Sequence, residues 1–173
     1  VIPSQVDTYT KYEYTTGENA KVNCLTYNKN LKILILGFKN YNKFGIYYFN
    51  LIDNEYDIPV YEEYEYSKDN EIIDCLTINT ISINNMNSVL FGIKGKSYLI
   101  EILLTSEVIP ETNGYYKKCS YVIKYLDIVD ENKSINCTCI ITDNNGYYIG
   151  FEKVDYISRY YPTYTYNNYI LYH

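Results

Sequence analysis

Five cysteines, a single histidine and a run of glutamates are the side chains of this 173-residue sequence best suited to chemistry. A cysteine or serine nucleophile needs a nearby base, but the one histidine, His173, is the terminal residue, where chains are seldom tied down. Cys137 and Cys139 are two apart, so regular alternation along a strand turns both thiols to one side. That arrangement suits neither a disulfide nor the ligand spacing of a zinc site. Cys24, Cys75 and Cys137 read as small core residues, a role free thiols often fill, which favours a reducing, cytoplasmic compartment. The acceptor triplets at Asn132 (NKS) and Asn136 (NCT) keep a secreted, glycosylated protein open, as would a disulfide at Cys119.

The glutamates sit in YEEYEY (61–66) as Glu62, Glu63 and Glu65, with Asp57 nearby. Glycosidic cleavage needs two carboxyls at fixed separation on facing elements. On one alternating strand Glu63 and Glu65 share a face and Glu62 takes the other. Charge there is better explained as protection of an exposed strand edge. GIKGK (92–96) reads as a hairpin turn rather than a phosphate loop. DENKS (130–134) lacks the alternating oxygen ligands of a calcium loop. The sequence therefore predicts a non-enzymatic protein without metal or cofactor.

Fifteen Lys and Arg against twenty-one Asp and Glu give a net charge of −6, with Arg159 the one arginine. Nucleic acid is not an expected partner, because phosphate neutralisation needs clustered cations. No apolar run approaches the ~20 residues that span a bilayer as a helix. Val1 stands where a start codon would put Met, which reads as a processed form or an excerpt of a longer chain.

Twenty-five tyrosines dominate the composition. Tyr and Ile favour pleated, half-buried surfaces. Tyr also enriches interfaces, since it offers a large rigid contact with a hydrogen-bonding tip. Tyr12, Tyr14, Tyr64 and Tyr66 with Glu63 and Glu65 form the candidate interaction set, and packing between strands is the competing role for the same tyrosines.

The elements that must position these residues repeat. Units at 11–53, 63–104 and 123–161 each open on a Tyr-rich alternating stretch and pass through a polar turn with Glu18, Glu71 or Glu131. Each then runs through an apolar-x-Cys strand, an Asn-rich turn, a strand ending at Gly37, Gly92 or Gly150, and a further Tyr-containing apolar strand. The units align on Cys24, Cys75 and Cys137, at intervals of 51 and 62 residues. Cysteine to glycine is thirteen residues in the first and third units and seventeen in the second, with the extra length assigned to the turn SINNMN. PETNGYYKKC (110–119) is an inserted hairpin or long loop, and 162–173 opens a possible fourth unit. Pro59, Pro110 and Pro162 fall near the starts of outer strands, where a missing N–H costs little.

Four short antiparallel strands per 50–60 residues is the arithmetic of a propeller blade. KVNCLTYN, LILGF and GIYYFNL together resemble the blade pattern of WD40 repeats. The closing Trp-Asp and the preceding Gly-His pair are absent, so that family's buried Asp–His network does not carry over. The resemblance implies an all-β chain of repeated four-stranded antiparallel units, part of a β-propeller that presents surfaces to protein partners. Further units would come from the parent chain or another subunit. A single β-sandwich or barrel is the alternative fold, and a secreted or cell-surface ligand-binding β-domain the alternative function.

Overall fold

The computed structural model describes residues 20–52, 59–111, 114–128 and 136–162. Tyr12, Tyr14 and Asn132 lie outside them. Eleven strands and no helix occur among the described residues, and every strand pair is antiparallel.

Among these residues three open sheets are laid down in chain order. The first joins β1 (Lys21–Asn28), β2 (Ile33–Lys39), β3 (Lys43–Tyr48) and β4 (Val60–Glu65). The second joins β5 (Cys75–Ile83), β6 (Met86–Ile93), β7 (Tyr98–Glu111) and β8 (Gly114–Asp127). The third has β9 (Cys137–Thr142), β10 (Tyr147–Phe151) and β11 (Ile157–Tyr160). The repeat units are offset from the sheets by one strand: the Tyr-rich stretch that opens the second unit is β4, the outer edge of the first sheet.

Turn chemistry explains the hairpins. Asn84 and Asn85 take positive φ of 47° and 66°, as a tight two-residue connection requires. The four extra residues of this unit therefore lengthen β5 and β6 instead of enlarging the SINNMN turn. Asp143 accepts from the Asn145 and Gly146 amides at 2.8 and 3.0 Å and fixes the DNNG turn. Gly95, at φ +71°, turns GIKGK between β6 and β7.

β5 lies between β1 and β9, so the sheets stack through their first strands. Isoleucines of β2 and β3 meet Ile78, Val89, Phe91 and Ile100 in one core layer. Leu90 and Leu99 meet Ile140, Tyr147 and Tyr160 in the other. β2 is buried on both faces, with Ile33, Ile35, Leu36 and Phe38 all withdrawn from solvent, in keeping with its continuous apolar run.

Each first strand carries one bulge, at Asn23, Leu76 and Thr138. The residue after the bulge pairs with the second-strand glycine: Cys24 with Gly37, Thr77 with Gly92, Cys139 with Gly150. This corrects the alignment on cysteines. Cys75 and Cys137 share a rung with Val22, and Cys24 sits one rung on. The bulge also corrects the expected pairing of thiols on one side, since an inserted residue reverses the alternation: Cys137 is buried and Cys139 exposed.

Pro110 does not start an outer strand. It lies late in β7 (opposite Tyr115), where that strand has outrun β6 and has a free edge. Beyond Leu104 the β7–β8 pair continues as a two-stranded arm that reaches the first sheet. Leu51 donates its amide to the Tyr115 carbonyl at 2.8 Å, Asn50 Oδ1 accepts from the Tyr115 amide at 3.1 Å, and Tyr116 is buried.

Candidate functional site

β4 keeps the alternation its sequence predicts. Glu62 and Tyr64 face the second sheet's arm, and Glu63 faces the other way. Tyr64 Oη donates to Glu62 Oε2 at 2.5 Å and lies 2.6 Å from Tyr48 Oη. Lys118 of the arm pairs with Glu62 and sits 4.9 Å from the Tyr48 ring centre. Burial works against the Glu62 charge, but hydrogen bonds from Lys118 and Tyr64 outweigh it and hold the carboxyl below its usual range. Burial, then the Glu62 carboxylate, pushes the Tyr64 phenol up. On the other face Glu63 accepts from Tyr41 at 2.5 Å and from Tyr61 at 2.8 Å. The two glutamates thus point to opposite faces of β4, Glu62 held by Lys118 and Tyr64 and Glu63 by Tyr41 and Tyr61.

Past β4 the chain borders an open groove of about 430 Å³, lined by Glu65, Tyr66, Ser67 and Lys68 on one side and Tyr121, Ile123 and Tyr125 of β8 on the other. Hydrogen bonds fix its width: Tyr121 Oη donates to the Glu65 carbonyl at 3.2 Å and Tyr125 Oη to the Tyr66 carbonyl at 3.1 Å. Tyr121 stands edge-on to Tyr64 at 5.3 Å, and Tyr125 edge-on to Tyr98 at 5.1 Å. The result is a wall of braced aromatic rings with one carboxylate and one ammonium at its lip. Few polar anchors on an apolar, preformed cleft is the usual composition of a binding site.

No family model, curated protein or solved structure matches the chain.

The groove is therefore read from its own geometry. Of the candidates named from sequence, Glu65 is exposed at its rim, Tyr64 is half-buried behind it, and Tyr66 is fully buried between Phe44 and Phe91. The Tyr66 ring, though beside the groove, is packed away from it and offers a partner no exposed area; burial and the Cys75 and Cys24 thiols push its phenol up. Tyr121, Ile123 and Tyr125 escaped the sequence reading, although their strict period of two in SYVIKYLD marks one strand face. Asn136 is already engaged: its Oδ1 accepts from the Gly95 amide at 2.8 Å, and its Nδ2, the atom a glycan would join, donates to Glu152 at 2.7 Å.

A second polar constellation lies inside. Glu101 is fully buried and accepts from Ser88 at 2.8 Å and from Tyr160, while Tyr147 donates to Ser88 at 2.9 Å. These groups tie the second sheet to the third. With Glu101, Ser88 and both tyrosines withdrawn from solvent, the constellation reads as a structural clamp. Among the described residues no cluster of three or more His, Cys, Asp or Glu could hold a metal, and no helix is long and apolar enough to cross a membrane.

Proposed function

We propose that the chain is a non-enzymatic interaction module whose three sheets are blades of a propeller-like, WD40-like array, and that the groove between β4 and β8 receives a segment of a protein partner. The braced rings of Tyr121 and Tyr125 carry this reading. They offer rigid aromatic contact at little entropic cost, the property that enriches Tyr at interfaces. Glu65 and Lys68 at the rim supply charge that orients an extended peptide, and the carbonyls of Glu65 and Tyr66 are already satisfied by phenols. The three sheets meeting through β1, β5 and β9 support the blade reading, because radial repetition is how four-stranded meanders bury both faces.

Selection of a displayed peptide library on the immobilised chain tests the groove. Enriched peptides should lose at least tenfold in affinity against Tyr125→Ala and Tyr121→Ala, and keep it against Val108→Ala on the arm. Enrichment of no sequence, or of sequences indifferent to both tyrosines, rejects the groove as the site.

A further inference from the structure

Two sheet junctions inside the chain are built alike. A glycine of one sheet's second strand receives the thiol of the next sheet's first strand: a Cβ on Gly37 would lie 2.6 Å from Cys75 Sγ, and one on Gly92 2.7 Å from Cys137 Sγ. The third sheet carries the same rung unfilled. A Cβ on Gly150 would meet nothing nearer than Cys139 Cβ of its own sheet, at 3.5 Å. Around it Ile157 is 72 % exposed, Ile141 56 % and Tyr148 39 %, whereas Leu90, on the Tyr148 rung of the second sheet, is fully buried. Leu99, one step beyond the Phe91–Ile100 pair and so beside Gly92 as Ile157 is beside Gly150, is 4 % exposed.

The complementary half of that junction is on this same chain. Val22 holds the rung of Cys75 and Cys137, and Leu25 that of Ile78 and Ile140. Val22 and Leu25 are 52 % and 57 % exposed, against 6 % or less for the four residues they match. Valine is close to cysteine in size, so a glycine slot that admits a thiol admits one of its methyls. Apolar positions bared on two opposite faces are unusual for a lone soluble domain.

We infer that a second copy of this chain docks head to tail on the third sheet, its Val22 entering the Gly150 slot and its Leu25 facing Ile141 and Tyr148. The reciprocal contact closes a ring of two copies. Two copies give six sheets, inside the four-to-eight range of closed propellers, and three copies give nine, outside it. The ring rests on the blade reading proposed above; the docking of the two faces rests only on the repeated junction.

A cysteine trap tests both. Cys24 and Cys75 stand 3.2 Å apart across the first junction, so Val22→Cys should sit in the same relation to Cys139 of the next copy. Oxidation of this variant with diamide should give a covalent species of twice the chain mass, mapped to positions 22 and 139 and lost when Cys139→Ser is added. Sedimentation of the unmodified chain should give two copies, and Ile157→Asp, at an exposed site, should halve the mass with an unchanged β-sheet circular dichroism spectrum. A monomer with no cross-link, or a bond from position 22 to position 22, overturns the docking. An open-ended ladder of masses linked through 22 and 139 overturns the ring and leaves peptide binding in the β4–β8 groove to be judged separately.

Discussion

Gly37 lies directly against Cys75 of the next sheet, so close that a Cβ on the glycine would stand 2.6 Å from the sulfur. The same hypothetical atom meets Cys24 Sγ at 2.6 Å, so one absent side chain makes room for two thiols at the junction.

Gly37→Ala should accordingly destabilise the chain by about 1–3 kcal/mol, the range for overpacking a tight core, even though alanine is the less costly residue to order. Gly150→Ala, made in the Ile157→Asp background so that the third sheet is bare, should move stability by less than about 0.5 kcal/mol. Urea unfolding measures both, and equal losses would refute the asymmetry.

The arm should depend on Tyr116. Its ring is 3 % exposed in the core between the first two sheets, so Tyr116→Ala should cost about 3–5 kcal/mol, as for other large-to-small aromatic deletions. Val108, 53 % exposed on the same arm, should tolerate alanine within about 0.5 kcal/mol. Hydrogen exchange should show the Leu51 amide, bonded to the Tyr115 carbonyl, losing protection in the first variant and keeping it in the second.

Glu101 sets a pH dependence of definite sign. Burial raises its carboxyl above the ordinary 4.5, against the opposing hydrogen bonds of Tyr160 and Ser88. The unfolded chain then releases this proton at lower pH than the folded one, so the group's contribution to stability declines as pH rises from 4.5 through the raised folded value. Glu101→Gln lacks that ionisation. Its urea midpoint should rise relative to the unmodified chain across that window and hold a constant difference above it. A difference that stays flat from acid upward would mean that Glu101 titrates normally.

Thiol labelling should separate the cysteines by sheet junction. In the Ile157→Asp background iodoacetamide should modify Cys139 first, because it is exposed. Cys137, two residues earlier, is buried and its thiol pushed up to about 12, so it should react only on unfolding, together with Cys75. Equal rates at Cys137 and Cys139 would contradict the bulge at Thr138.

Much of this was legible in the residues. The alternation of YEEYEY put Glu62 and Glu63 on opposite faces, and the Asn-rich stretches of the repeat announced their turns. All of these are local rules: period-two alternation, positive φ at Asn84 and Asn85, and the Asp143 carboxylate folded back onto the Asn145 and Gly146 amides. The rung of each cysteine was not legible. Bulges at Asn23, Leu76 and Thr138 have no residue signature of their own, and each shifts every later side chain by one face. Nor could composition tell that Tyr66 would be swallowed between Phe44 and Phe91 while Tyr125 stayed out, since both belong to similar Tyr-rich stretches.

By itself, then, the sequence determined an all-β chain of short antiparallel strands, the places where it turns, and the recurrence of a cysteine-bearing strand before a glycine-bearing one. Those features follow from backbone preferences that neighbouring residues set. Tertiary structure alone decided that the glycine and not the cysteine marks the common rung, that the β7–β8 arm clasps the first sheet, and that β4 and β8 enclose an aromatic groove. The first turns on a one-residue bulge inside each sheet, the other two on groups from different sheets coming within a few ångströms, and no pattern along a single strand encodes either.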